Sequence, residues 1–342
     1  MKLIENRIKN EQTLKKWKAF KSHRAGYYSI WIILALCFFS FTAEFWANSK
    51  PIYLSYKGTS YFPVFKEYSV KEFGITDTMA IDYRSLDLAE GDAIVWPLFK
   101  WDPYESNKKV DDYPSSPSGS NLMGTDDRGR DVLARLLYGL RYSIAYSMCV
   151  WILTFIIGTI IGGFQGYVGG VVDLIGQRIT EILSTIPYLF LLIILIAVFE
   201  PSLTLLIVIT SFLGWIGISM YMRAEFLKNR KREYVEAARS IGASHKRIFF
   251  KHILPNSLAP IITFSPFVIA GGISSLAALD YLGFGLTPPT PSWGELLAQA
   301  QKNFTIGWWL ALYPSLALFS VLTMFNFIGE AVRDAMDPHK RT

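Results

Sequence analysis

The groups that ordinarily carry enzyme chemistry are scarce and badly placed. The four histidines, His23, His245, His252 and His339, all fall in polar segments outside the long apolar runs. No G-x-S-x-G stretch offers a nucleophile, and no Gly-Lys pair occurs that would complete a phosphate-cradling loop. Catalytic residues, cofactors and metal ligands are therefore not expected. What remains is non-covalent chemistry, concentrated in residues 233–260, EYVEAARSIGASHKRIFFKHILPNSLAP. From Lys231 to Ile241 the residues favour helix, and Arg232/Glu236 and Glu236/Arg239 stand at i,i+4 and i,i+3, where side chains pair. Gly242 suits the left-handed residue that ends a helix, and Ser244 suits the cap of a second one, running through Ile248, Ile253 and Leu254 until Pro255 stops it. Ala237 and Ala238 leave a low surface beside Glu236 for another protein's backbone. The prediction is helix, turn, helix: a docking knob.

Two plainer readings fit part of this pattern. A glycine-turned helix pair is also the shape of a DNA-reading motif, but hydrophobic spans on both sides leave little room to reach a duplex. A positively charged cytoplasmic loop would explain the charge and leave the ordered punctuation unexplained.

The elements that must position the knob are apolar. Of 342 residues, 51% are hydrophobic and 15% aromatic, and the mean hydropathy is +0.27. Runs near 28–47, 142–164, 203–222, 261–282 and 306–328 are long enough to cross a bilayer, and 182–199, with Pro187 in its first turns, is a shorter sixth. The fold class expected is an all-α polytopic membrane protein of about six transmembrane helices, with a cytoplasmic coupling helix and an extracytoplasmic insert of mixed or β character. The first run is too long and too late for a cleaved signal peptide. Cys37 and Cys149 lie inside predicted spans, and no disulfide is expected. The net charge of +6 is uneven: basic residues crowd 1–27 and 223–251. Both segments belong inside by the positive-inside rule, which puts both termini in the cytoplasm and lets the amino terminus touch anionic lipid. A nucleic-acid partner is not expected.

In chain order this gives a basic segment 1–27, a first span 28–47, an insert 48–121, an interfacial amphipathic helix 122–141, a five-helix core 142–328 holding the loop 223–260, and a tail 329–342. In the insert, IYLSYKGTSYFPVF alternates like a hairpin turned at Lys57-Gly58, AIVWPLFKW is a further strand candidate, and PSSPSGSN reads as a linker. The insert is expected to be a small folded segment on the outer side. After it, Asp126 or Asp127 can cap a helix on which Leu133, Leu136, Leu137 and Leu140 share a face, with Arg130, Arg135 and Arg141 on others, the pattern of a membrane-surface helix.

Glu236-Ala237-Ala238, then Gly242, then Ile253-Leu254-Pro255 resembles the EAA loop of ABC importer permeases. Gly124-Thr125-Asp126 and Gly129-Arg130-Asp131 resemble the GTDxxGRD stretch of one subunit type in the dipeptide and oligopeptide family. Gly166 to Gly170, the Leu282-Gly283-Phe284-Gly285 turn, Pro288 to Gly294 and Asn326 to Pro338 are similar to further family stretches. Glu181 and Glu330 stand where the family usually has Asp, and Leu276 where a glutamate is expected, with Asp280 one helical turn on. The dense resemblance covers about residues 120–338, and the long insert suits the Yej-like branch associated with oligopeptide and peptide-antibiotic uptake.

The resemblance implies a permease of a binding-protein-dependent importer in a bacterial inner membrane. Its implied partners are a second, homologous permease, two ATP-binding subunits or one fused ATPase, and an extracytoplasmic peptide-binding protein; the EAA loop sits in a groove of the ATPase. The GTDxxGRD stretch fixes loop geometry or meets substrate, and Asp280 lines the aqueous path or caps a helix end. Rival classes are an intramembrane enzyme, for which no histidine faces a membrane serine, and a channel or exporter-type subunit working without a soluble receptor.

Overall fold

The structure, a computed structural model, describes residues 10–73 and 81–337; the basic residues before 10 and the tail beyond 337 lie outside them. Helix α1 (Glu11–Ser22) leads into α2 (Arg24–Phe41), whose start is capped by the His23 imidazole accepting from Gly26 N–H at 3.1 Å. The bundle continues with α3 (Val132–Val168), α4 (Gly170–Ser184), α5 (Tyr188–Val198), α6 (Leu203–Asn229), α7 (Glu233–Ser240), α8 (His245–Tyr281), α9 (Trp293–Lys302) and α10 (Trp308–Met336). Among the described residues five helices, α2, α3, α6, α8 and α10, are long and apolar enough to cross a membrane, and the pair α4/α5, bent by 69° at Pro187, makes a sixth if counted as one span.

Three packed clusters stack along the bundle. At the end nearest the insert, Val132, Leu136 and Leu140 of α3 meet Trp293 and Leu296 of α9 and Trp309 and Leu310 of α10. Tyr146, Leu192, Leu206 and Leu276 fill the middle. Met222, Phe226, Val235, Ile248, Ile253 and Ile261 fill the end that carries the loop. Helices α3 and α6 approach most closely because glycines face the seam: a Cβ on Gly158 would come within 2.8 Å of Ile218 Cβ and the Trp215 carbonyl, and one on Gly162 would collide with the Ser219 backbone.

The insert is partly β. Strand β1 (Tyr53–Tyr56) pairs antiparallel with β2 (Thr59–Tyr61) and with β3 (Ala93–Val95), giving the order β2-β1-β3. Lys57 and Gly58 both take positive φ, 49° and 76°, as the two central residues of a tight hairpin require. Leu54, Tyr56, Tyr61, Phe73 and Tyr83 form its small aromatic core.

Three expectations need correction. Residues 122–141 do not form a separate interfacial helix: 122–131 is a turn, and α3 runs unbroken from Val132 for 37 residues. Its arginine-bearing face is not solvated, since Arg135 is fully buried by partners far away in sequence. The stretch 114–121 is not a loose linker, because Asn121 is buried and donates to Asp131 at 2.9 Å. Finally, Pro255 does not stop the second helix. Residues Ile248–Ile253 form a π-turn, with Leu254 N–H donating to the Phe249 carbonyl, and Pro255 enters the α-helical continuation in its first turn, where no N–H is needed. The helix then passes Pro260 and Pro266 and ends at Tyr281.

Candidate functional site

At the loop end, α7 is a short helix held by two residues and displaying the others. Val235 and Ala238 are buried against Met222, Phe226, Ile248 and Ile253, while Glu236 and Ala237 face outward. Of the pair Ala237/Ala238, one is display and one is anchor. Gly242 takes φ 79° and ends α7 with Gly242 N–H on the Arg239 carbonyl at 2.9 Å and Ala243 N–H on the Ala238 carbonyl at 3.0 Å, the two bonds of a Schellman motif. Ser244 then caps α8, its hydroxyl accepting from Arg247 N–H at 3.4 Å. The ion pairs expected between Glu236 and Arg232 or Arg239 do not form among the described residues, which leaves the Glu236 carboxylate exposed and unpaired on the knob. Ile253 is fully buried, Leu254 half-buried, and Pro255 exposed.

One exposed residue escaped the sequence reading. Ile241 is 86% exposed at the tip of the turn. Tyr234, Ala237 and Ile241 stand at i, i+3 and i+7, a spacing that would have picked out this outward apolar stripe. Beneath it the scaffold is braced: Arg223 grips Asp173 with two bonds of 2.5 and 2.6 Å, Arg230 reaches the Gly166 and Tyr167 carbonyls at 3.2 and 3.3 Å, and Asn229 donates to Ser257 at 3.1 Å.

At the opposite end, the 124–131 motif is the centre of a buried ionic clasp. Gly124 and Gly129 both take positive φ, 77° and 78°, folding the segment so that Asp126 accepts from the backbone N–H groups of Arg128 and Arg130, each at 2.9 Å. The Arg130 side chain donates to Asp126 at 2.6 Å and to Glu295 at 3.0 Å. Arg135 also pairs with Glu295 and reaches the Pro103 and Pro289 carbonyls at 2.9 and 3.3 Å; its Nε lies 3.4 Å from Asp126, close enough for attraction but not aligned as a hydrogen bond. Two cations thus face two carboxylates, and the cluster is charge-balanced. Thr125 accepts from Ser115 N–H at 2.8 Å, its carbonyl accepts from Trp309 at 2.9 Å, and Asp131 caps α3 by accepting from Ala134 N–H at 2.8 Å. Burial pushes the Asp131 carboxyl above its ordinary range, and burial together with the Asp126 charge does the same to Asp127. Glu295, decisive here, was not singled out from the sequence. Its signal was the Ser292-x-x-Glu295 spacing of a capping box, in which the Ser292 hydroxyl does accept from Glu295 N–H at 3.3 Å while the glutamate side chain goes to the arginines instead.

In the sequence Asp280 is open to two readings, a lining of the path or a cap at a helix end. It is 8% exposed and its carboxylate is used up inside the hairpin, accepting from Leu286 N–H at 2.6 Å and from the Ser292 hydroxyl. It ties the end of α8 to the start of α9. Gly285 and Gly294 leave the space it occupies.

Comparison with known proteins bears on both ends. A family model described as binding-protein-dependent transport system inner membrane component matches residues 144–342. The chain belongs to that family. As a permease chain it is 40% identical over 330 residues to the inner membrane ABC transporter permease protein YejE of Escherichia coli K12, covering 95% of this chain and 96% of that one. It is 37% identical to the peptidoglycan transport system permease protein YejE of Agrobacterium fabrum, covering 96% and 93%. A third relative, the dipeptide transport system permease protein DppC of Haemophilus influenzae, is 38% identical over 70% of this chain and 82% of its own. The second of these relatives shares the full length including the insert region, whereas the third covers a shorter stretch. A chain of the MetNI methionine ABC transporter is a more distant likeness, with a TM-score of 0.46 at 18% identity over 59% of this chain and 96% of its own.

Proposed function

We propose that this permease carries oligopeptides or peptide-like compounds into the cell, forming the path together with a second, homologous permease and taking its energy from ATP-binding subunits docked on α7. The observation that carries the reading is the exposed stripe of Tyr234, Ala237 and Ile241 beside an unpaired Glu236, on a helix locked to both α6 and α8. An exposed isoleucine grouped with Tyr234 and Ala237 beside an exposed carboxylate suits the groove of a partner. Because Val235 and Ala238 fix α7 to the bundle, a partner that moves this helix carries the adjoining ends of α6 and α8 with it. Both termini and the knob then face the cytoplasm, in keeping with the basic charge around them. The clasp and the insert lie on the other side, where a peptide-binding protein delivers its cargo. Large apolar side chains on α4 and α5, such as Val171 (73% exposed) and Val198 (72%), are left for lipid or the second permease to cover.

The test is affinity purification from gently solubilised membranes with the neighbouring genes co-expressed, followed by an ATPase assay on wild type and Glu236→Lys. An ATPase and a second permease should co-purify with wild type, and Glu236→Lys should lose the ATPase or its coupling while remaining inserted. A chain that purifies alone as a stable folded oligomer would overturn the reading and favour a channel.

A further inference from the structure

A groove of about 350 Å³ opens between the loop-end turns of α3 and the first turns of α8, next to but distinct from the docking stripe. Its two walls are graded in the same direction. On α8, Lys246, Phe250 and Leu254 follow at four-residue spacing down one face, spanning about 12 Å of helix rise. On α3, Tyr167, Phe164 and Ile160 descend in parallel with them. The mouth is therefore cationic and hydroxylic, and the depth is apolar. At the mouth Tyr167 and His245 are joined by a 2.7 Å hydrogen bond that holds the two walls together. Lys246, which lines the mouth, and Arg247 next to it in sequence form no ion pair among the described residues.

The apolar walls are open, with Ile160 61%, Phe164 55% and Phe250 63% exposed.

We infer that this groove is a binding site for an anionic phospholipid, whose headgroup phosphate meets Lys246 and its basic neighbours while an acyl chain lies along Phe164, Ile160 and Phe250. Charge complementarity selects this occupant: unpaired cations stand at the mouth of an apolar groove at the basic end of a membrane bundle, the arrangement that recruits acidic headgroups from the cytoplasmic leaflet. The site abuts the π-turn at Ile248–Ile253, so a bound lipid braces the joint between the docking helix and the span. The inference goes beyond the importer reading and is tested on the single chain, so either can fail without the other.

The experiment is native mass spectrometry of the full chain released from micelles containing equal amounts of phosphatidylglycerol and phosphatidylcholine with matched acyl chains. Wild type should retain phosphatidylglycerol in about fivefold to tenfold preference. Lys246→Glu, at an exposed position that leaves the fold intact, should abolish the preference, and Ile160→Trp, which fills the groove, should lower retention of both lipids. Equal retention by wild type, or a preference that Lys246→Glu leaves unchanged, overturns the proposal. So does displacement of the lipid by inorganic phosphate, which would mark a plain anion site, or its loss when an ATPase subunit binds, which would mark a protein contact.

Discussion

The clasp at the insert end is a four-charge unit, and its balance can be tested by breaking it twice. Replacing Arg135 with Met removes a fully buried guanidinium and leaves Asp126 and Glu295 to share Arg130. Replacing Glu295 with Gln leaves two arginines facing Asp126 alone. Removing one partner of a buried ion pair costs about 3–5 kcal/mol, because the remaining charge is stranded away from water. Glu295, with its side chain 14% exposed, belongs near the lower end at about 3, and Arg135 nearer 4, since the Pro103, Pro289 and Thr290 carbonyls also lose their donor. Independent sites would sum to about 7 kcal/mol in the double variant. The double variant instead keeps Arg130 on Asp126 at 2.6 Å as a neutral pair, so its cost should be about 4–5 kcal/mol and the coupling about 2–3.

The assay is the melting temperature in mild detergent at fixed scan rate, followed by tryptophan fluorescence. Two of the ten tryptophans, Trp293 and Trp309, bond to carbonyls beside the clasp and contribute to that signal. At about 2 °C per kcal/mol for a chain of this size, the singles should fall by about 6–8 °C and the double by about 9 °C rather than 14 °C. A double variant that falls by the full sum would refute the balanced-cluster account. Singles within a degree of wild type would show that the buried charges are not paired in solution as they are in the structure.

Three further outcomes follow from single positions. Gly162→Ala should destabilise by about 1–3 kcal/mol, because the added methyl collides with the Ser219 backbone at the α3–α6 seam, whereas Gly217→Ala, with nothing within 4 Å of its Cβ, should be neutral or slightly stabilising; the same melting assay separates them. Asp127→Asn should raise the melting temperature near neutral pH and leave it unchanged below the ordinary carboxylate range. The Asp127 carboxyl is held up by burial and by Asp126, so the stability it contributes is full at low pH and lost as pH rises through its raised value, a loss the amide cannot suffer. Ile241→Asp, at an 86% exposed position, should change stability by less than about 0.5 kcal/mol yet weaken retention of a co-expressed ATPase by tenfold or more; unchanged retention would remove Ile241 from the docking surface.

The pattern of what the sequence discloses follows the range of the interactions involved. The turn at Gly242, the cap at Ser244 and the hairpin at Lys57-Gly58 are each settled within about six residues, and all three are where local chemistry puts them. Arg135 reads as a surface residue because its partners, Asp126, Glu295 and the carbonyls of Pro103 and Pro289, come from three separate parts of the chain, and only the fold turns a polar helix face into a buried one. Asp280 stays open in the sequence for the same reason: an acid at a span end fits a path or a cap until the return of Ser292 and Leu286 supplies its partners. Pro255 fails differently. The rule that proline ends a helix assumes an α-helical register before it, and the π-turn at Ile248–Ile253 removes that assumption by restarting the helix at the proline. That restart has a mechanical consequence. It places the π-turn of α8 directly behind α7, with Ile248 and Ile253 packed with Val235 and Ala238. A push on α7 would therefore meet this turn first. Substituting Pro255 by Ala allows the ordinary register there, so Pro255→Ala should straighten the turn and weaken the link between ATP hydrolysis and uptake while leaving insertion intact. Hydrolysis and uptake measured together in reconstituted vesicles decide it: an unchanged ratio of peptide moved to ATP consumed would show that the π-turn is only packing.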